Sequence, residues 1–327
     1  MTKQTNKKRA KQFAGKYSVD INATNILETL FTRTPLITFL FILPLATTIK
    51  MSNEIVNLPT IAEIEAAAEV LSMPDNSAKV VRVKEQFAVK FGNGIPLSEA
   101  ENMKFLAANS KVPVPKVYAA FIDPETNRTF IIMEYVRGDN LQKLLPSLTP
   151  TEKVIICKLV KDAIIELRKI PSPGYLGTLN RQPYHDGVFW TKDNNPLISG
   201  PFANQKEMNR GILERLRQTE SSQYIQLLQK TVDSTLHDHR PVFTHGDLQP
   251  KNIMVEKAES HDDGSPAFKI TLIDWEIAGW YPEYWDFCNA TISCRFKPDW
   301  LELIPDILDQ YPVEYLMMQV IYSAVFY

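Results

Sequence analysis

The segment His245-Gly246-Asp247-Leu248-Gln249-Pro250-Lys251-Asn252 sets an acid and an amide in one short loop. Strand-like runs flank it, PVFT at 241–244 and IMV at 253–255. A second acid, Asp274, follows the run FKITLI (268–273) in the sequence LIDWE (272–276). Asn252 and Asp274 offer hard oxygens. These suit Mg²⁺, which takes oxygen ligands and few of them from protein, so that phosphates can share the ion. Asp247 has no metal to hold and is free to orient a hydroxyl and take its proton. The chemistry these types and spacings fit is phosphoryl transfer to a hydroxyl.

Such a loop needs elements to hold it. Helical spacing at Ile61, Ile64, Ala68 and Leu71 predicts a helix within 59–71, followed by turn residues from Ser72 to Ser77. The runs AKVVRV (78–83) and QFAVKF (86–91), separated by Lys84-Glu85, predict a hairpin. Ser98 and Glu101 have the S-x-x-E spacing of a capping box, which predicts a helix starting at Ser98 with Glu99, Met103 and Leu106 on one face. KVYAAFI (116–122) and TFIIMEYV (129–136) predict a second strand pair. After Gly138 the pattern becomes helical. Thr149, Pro150 and Glu152 open a helix that runs toward Pro171, and further helices are predicted within 205–236 and 299–325. The division is an N-terminal extension at 1–50, a β-rich lobe at 51–138 and a mostly helical lobe at 139–327.

The loop resembles the H-x-D-x-x-x-x-N catalytic loop of protein kinases. It is closer still to the H-G-D form of the aminoglycoside phosphotransferase and choline kinase-like superfamily. Asp274 stands where the metal-binding Asp of D-F-G would be, written here Asp-Trp-Glu. The resemblance extends through most of 59–327. It implies an α+β, bilobal protein kinase-like fold, with a small β-rich N-lobe and a larger, mostly helical C-lobe. It implies ATP and Mg²⁺ as cofactors and a small-molecule substrate that accepts the γ-phosphate. On it, Lys90 in VKFG matches the lysine that binds the α/β-phosphates, and Glu99 the helix glutamate that pairs with it. Glu134 and Val136 in MEYVRG (133–138) match the nucleotide-binding hinge, and Ser77 falls in the loop that covers the phosphates. His245 is read as a residue that holds the loop's geometry. The run Tyr281 to Asp286 resembles fungal-type members, in which an Asp buttresses the catalytic loop; here that is Asp286. The family includes kinases of aminoglycosides, choline, homoserine and ketoamines, and nothing in the sequence selects among them.

There are departures. No G-x-G-x-x-G precedes Lys90; Gly92-Asn93-Gly94 comes after it and is no dinucleotide fingerprint. Gly246 in place of Arg and the lack of an A-P-E segment weigh against a protein kinase. A catalytically dead, nucleotide-binding scaffold is the alternative of a different class; the joint presence of Lys90, Asp247, Asn252 and Asp274 weighs against it. A metal hydrolase would need His/Asp blocks that are not there, and His237, His239 and His261 read as surface histidines. Tyr175, Tyr184, Asp186, Phe189 and Trp190 lie in 171–210, the stretch expected near the substrate, and loop packing and substrate stacking are both open for them.

The chain has 327 residues and a net charge of -2, which excludes an overall nucleic-acid footprint. Charge is uneven: residues 1–50 carry +6 and the remainder -8. Three cysteines without a C-x-x-C pair argue against a disulfide framework or a zinc site and for a reduced, cytoplasmic chain. The run LITFLFILPL (36–45) is about half of the ~20 residues that a spanning helix needs, and Pro44 interrupts it. The first fifty residues read as an extension outside the fold, as a membrane or organelle anchor, or as a structural part. Membrane contact is expected only if 36–45 is an anchor.

Overall fold

The computed structural model describes residues 48–51, 54–73, 78–260 and 262–326. By internal contacts the chain divides into Met1–Ala46 and Thr47–Tyr327. The first unit, including the run 36–45, lies outside the described residues, as do Ser77 and His261. The second unit opens with a two-stranded antiparallel ribbon, β1 (Thr48–Met51) and β2 (Glu54–Asn57).

A four-stranded antiparallel sheet follows, in the order β3-β4-β6-β5, built from β3 (Lys79–Val83), β4 (Phe87–Gly92), β5 (Val117–Ile122) and β6 (Thr129–Glu134). Lys84 and Glu85 turn the β3–β4 hairpin with φ of 50° and 58°. Non-glycine residues adopt that left-handed backbone at a cost of about 1–3 kcal/mol each. Offsetting contacts are present: Lys84 pairs with Glu63 at 3.0 Å, and Arg82 Nε donates to the Glu85 carbonyl at 3.1 Å. Side chains alternate along a strand, so Phe87, Val89 and Phe91 enter one small core with Val81, Phe130 and Ile132. Each large apolar side chain so buried stabilises by about 1.5–3 kcal/mol. Ala88 and Lys90 therefore project from the opposite face.

Helix α1 (Ile61–Glu65) is shorter than its apolar spacing predicts. A Thr60–Glu63 capping box starts it and Ile64 anchors it. It stops because Val70 leaves to bridge Val81 at the sheet edge, with Leu71 N–H on the Val80 carbonyl at 2.8 Å. Strand pairing overrides the helix propensity of the alanines at 66–68. Helix α2 (Ser98–Asn109) begins where expected, but the capping box does not form. Leu97 is the N-cap without a side-chain bond, and Ser98 Oγ is buried without a partner among the described residues. The helix starts in tertiary packing: Glu99, Ala100, Asn102, Met103 and Leu106 are all buried.

Gly138 joins the lobes at φ +93°, and a Cβ there would lie 2.1 Å from the Val255 carbonyl oxygen. Only glycine lets β7 (Asp139–Asn140) reach its partner. A short α3 (Leu141–Leu144) leads to α4 (Pro150–Arg168), capped by Thr149 and Glu152. Ile156, Val160, Ala163 and Leu167 of α4 face the large core. Next come α5 (Pro196–Ser199), α6 (Gln205–Leu216) and α7 (Ser222–Thr235). Strand β8 (Pro241–Thr244) leads into the acid–amide loop; β9 (Ile253–Ala258) leaves it and pairs antiparallel with β10 (Ala267–Leu272), which delivers Asp274. Strand β11 (Gly279–Pro282) pairs back on β8. Helices α8 (Trp285–Ile292), α9 (Pro298–Leu301), α10 (Ile304–Ile307) and α11 (Pro312–Phe326) close the lobe. No helix among the described residues is long and apolar enough to cross a membrane.

Candidate active site

Lys90 is 7% exposed. Its Nζ lies 2.7 Å from Glu99 Oε2, 2.8 Å from Asp274 Oδ1 and 3.4 Å from Glu276 Oε2. One ammonium from the sheet thus meets carboxylates from α2 and from the segment after β10. The ligand atoms of Glu99, Asp274 and Glu276 fall within 4.8 Å of one another. Burial pulls Lys90 down, but the three carboxylates outweigh it and raise the lysine well above its usual range. Burial pushes Glu99 up, to about 7, against the pull of Lys90. Burial also pushes on Asp274, yet Lys90, Lys251 and His245 draw it below the ordinary carboxylate range. Lys90 and Glu99 both move up: the three carboxylates favour the charged lysine, whereas burial disfavours the charged Glu99. We read the 2.7 Å contact as an ion pair. Lys90 is held charged, while burial works against the charge on Glu99.

Asp274 sits at φ +67°, in the left-handed region. The loop next to it is stitched to it. His245 is fully buried; its Nδ1 accepts from the Asp247 N–H at 3.2 Å, so its Nε2 carries the hydrogen and donates to the Ile273 carbonyl at 3.0 Å. The Ile273 N–H in turn donates to the Asn252 carbonyl at 3.0 Å. Asn252 Nδ2 donates to the Asp247 main-chain oxygen at 2.8 Å and to its Oδ2 at 2.9 Å. Gln249 Nε2 donates to Asp247 Oδ1, and Lys251 Nζ stands 3.4 Å from Oδ2. Among the described residues Asn252 Oδ1 accepts no hydrogen bond. The oxygen donors of Asn252, Asp274 and the neighbouring Glu276 fit Mg²⁺ by chemistry, being hard and carrying more negative charge than Lys90 offsets.

Asp286 Oδ1 accepts the Gly246 N–H at 3.0 Å. Burial raises its carboxyl, opposed by His245. Gly246 adopts φ +82°, and a Cβ would press on Ile277 at 3.0 Å. The Arg that protein kinases have beside this Asp would be strained at that φ and would press on Ile277.

Glu134 and Val136 are not brought into the Lys90 cluster. The Glu134 carboxylate accepts the Lys116 N–H at 3.2 Å, so its side chain faces β5. Neither the N–H nor the C=O of Val136 takes a backbone hydrogen bond among the described residues, which leaves its peptide edge open to a ligand. A cavity of about 1070 Å³ runs along Glu134–Arg137 between Arg82, Met254, Phe268 and α4. No side chain of Lys90, Glu99, Asp247, Asn252 or Asp274 lines it.

Of the aromatic and acidic residues at 171–210, Tyr175, Tyr184, Asp186 and Phe189 are buried. Tyr184 stacks on Tyr281 at 4.2 Å and Phe189 on Trp285 at 5.5 Å. These are packing residues; of the five residues singled out in the sequence, Trp190 alone is largely exposed, at 53%. His239 is not a surface histidine either: its Nε2 lies 2.9 Å from Glu314 and its ring packs on Tyr284. Sequence reading missed Glu276, Lys251, Asn102 and Asn289. Asn102 Nδ2 donates to the Trp275 carbonyl at 2.8 Å, one turn from Glu99 on the same face of α2. Glu276 was detectable as a second acid two positions after Asp274, and Lys251 as the loop's only cation.

A β-rich lobe joined to a helical lobe, with the acid–amide loop set against Asp274, is the build of a kinase-like phosphotransferase. The chain belongs to the phosphotransferase enzyme family, whose model matches residues 76–317. Among solved structures, aminoglycoside phosphotransferase APH(4)-Ia is similar with a TM-score of 0.53 at 12% identity, covering 80% of this chain and 86% of that one. A thermostable mutant of that enzyme, in ternary complex with AMP-PNP and hygromycin B, matches with a TM-score of 0.52 at 12% identity over the same shares, 80% and 86%. At such identities the likeness concerns the fold. No curated protein matches the sequence.

Proposed function

We propose that the chain is an ATP-dependent small-molecule kinase that moves the γ-phosphate to a hydroxyl. The observation that carries this reading is the meeting of Lys90 with Glu99 and Asp274 at 2.7 and 2.8 Å, beside the Asp247–Asn252 hydrogen bond of 2.9 Å. Phosphoryl transfer asks little covalent chemistry of a protein; it asks for positioning and for charge where charge develops. Lys90 offers a fixed cation for the phosphates. Asn252 and Asp274 would hold Mg²⁺, with Glu276 beside them; when bound, that ion neutralises the phosphate charge. Asp247 orients the acceptor hydroxyl and takes its proton, with its carboxylate aimed by Gln249 and Asn252. Lys251 places a second cation next to that carboxylate. The open peptide edge of Val136 would take the base, and His245 and Asp286 hold the loop. The related structure that contains hygromycin B supports a small polyhydroxylated acceptor. The test is a phosphotransfer screen of the full chain with labelled ATP, Mg²⁺ and panels of aminoglycosides, amino alcohols and sugars. Label in at least one acceptor, absent with Asp247→Asn, is expected. Nucleotide binding with no transfer to any acceptor would instead point to a nucleotide-binding scaffold.

A further inference from the structure

Gly246, the residue before Asp247, is held through both of its backbone polar groups. Asp286 takes the Gly246 N–H, as described. The Gly246 carbonyl accepts from Asn289 Nδ2 at 2.8 Å, in a site where Asn289 is 4% exposed. Asp286 and Asn289 lie three residues apart on α8 and so share a face. The second hydrogen of Asn289 Nδ2 reaches Asp186 Oδ2 at 3.5 Å, the long end of hydrogen bonding. Asn289 Oδ1 accepts from the Tyr322 hydroxyl of α11. This settles which way the amide points. A carbonyl and a carboxylate only accept and must face the NH₂, whereas the tyrosine hydroxyl donates to the oxygen. Every hydrogen-bonding position of Asn289 with a partner is thus used in one orientation.

Asp186 is itself fixed and 3% exposed. Its Oδ1 accepts the Val188 N–H at 2.9 Å and its Oδ2 the Trp285 Nε1–H at 3.3 Å. A buried carboxylate with three donors, drawn from its own loop and from α8, is a costly feature for simple packing. It fixes the direction of the Asn289 amide.

We propose that Asn289 is a positioning residue for the Asp247 base. It locks the Gly246–Asp247 peptide through the Gly246 carbonyl, and Asp186 and Tyr322 lock Asn289. The proposal rests on the phosphotransferase reading for its kinetic effect but not for its structural one. A misplacement of about 1 Å in a reacting group can cost ~10²-fold in rate.

The experiment uses the full chain as wild type, Asn289→Ala and Tyr322→Phe. Two quantities are read: hydrogen exchange of the Gly246 and Asp247 amides, and steady-state kinetics with the acceptor found in the screen. Asn289→Ala is expected to speed exchange at both amides and to lower kcat by roughly 10–100-fold, with KM for ATP within about threefold of wild type. Tyr322→Phe keeps the bulk and removes only the bond that orients the amide; a smaller change in the same direction is expected. If Asn289→Ala fails to fold, Tyr322→Phe decides alone. Unchanged loop exchange, or an unchanged kcat with a raised KM, overturns the proposal. If the wild type transfers no phosphate at all, the function reading fails, and amide exchange still tests the positioning.

Discussion

Lys90 and Asp274 are 184 positions apart in sequence and 2.8 Å apart in space. That contact ties the four-stranded sheet to the loop after β10. Lys90→Met removes the ammonium that ion-pairs with Glu99, Asp274 and Glu276. Breaking a buried pair by deleting one partner costs about 3–5 kcal/mol. Burial already raises the Glu99 carboxyl above its unfolded value, and without Lys90 nothing opposes that push. Its cost is therefore small at low pH and grows as pH rises through the folded value. Thermal melts at pH 5 and pH 8 should show the larger deficit at pH 8; an equal deficit at both would contradict the shared-ammonium account.

Asp186 has its own pH signature. Burial pushes its carboxyl from the ordinary 3.8 to about 6, against the bonds from Val188, Trp285 and Asn289. The fold therefore favours its protonated form. Stability from this group is fully present below pH ~4 and is lost as pH rises through ~6, by about 3 kcal/mol on the usual conversion. Asp186→Asn should flatten that part of the profile. Urea melts at intervals from pH 4 to 7 measure it, and an unaltered slope in the variant would remove Asp186 as its source.

Gly138 tests the lobe junction. A Cβ 2.1 Å from the Val255 carbonyl oxygen cannot be accommodated without moving β7 off β9, and the backbone is left-handed besides. Gly138→Ala is expected to destabilise by more than about 2 kcal/mol, beyond the ~1 kcal/mol of conformational preference alone. A chemical melt within 0.5 kcal/mol of wild type, about the range of an ordinary surface substitution, would show the junction to be slack.

We propose that Asp274 and Asn252 hold the ion. Asp274→Ala should abolish the Mg²⁺ dependence of ATP affinity while leaving weak metal-free binding through Lys90. Calorimetric titrations with and without Mg²⁺ read this directly, and an undiminished Mg²⁺ effect would move the metal site elsewhere.

Much of the site was legible because its residues sit in short, rigid stretches. The Asp247–Asn252 spacing and Asp274 just past a strand follow from local pattern; Lys90 was placed on a strand by pattern, and its role came through the resemblance. The pairing of Lys90 with Glu99 came through family resemblance. What stayed hidden is what depends on where distant faces meet. Ser98 has the spacing of a capping residue, yet packing sets the start of α2 and leaves its hydroxyl unpaired. The apolar periodicity of 59–71 predicts more helix than forms, because Val70 finds Val81. Asn289 looks like an ordinary polar position of α8, and nothing local says that its amide reaches Gly246. Tyr184 and Phe189 could have faced a ligand or the core, and only their stacking on Tyr281 and Trp285 decides it.

The central claim is that Asp247 performs proton transfer while other residues hold the nucleotide. Asp247→Asn keeps the size of the side chain and removes its basicity. The most direct measurement is MgATP binding and acceptor phosphorylation by wild type and this variant, side by side. The account predicts MgATP affinity within a few-fold of wild type and turnover lower by ~10²-fold or more, in the range that general base catalysis contributes. Turnover within tenfold of wild type would contradict it.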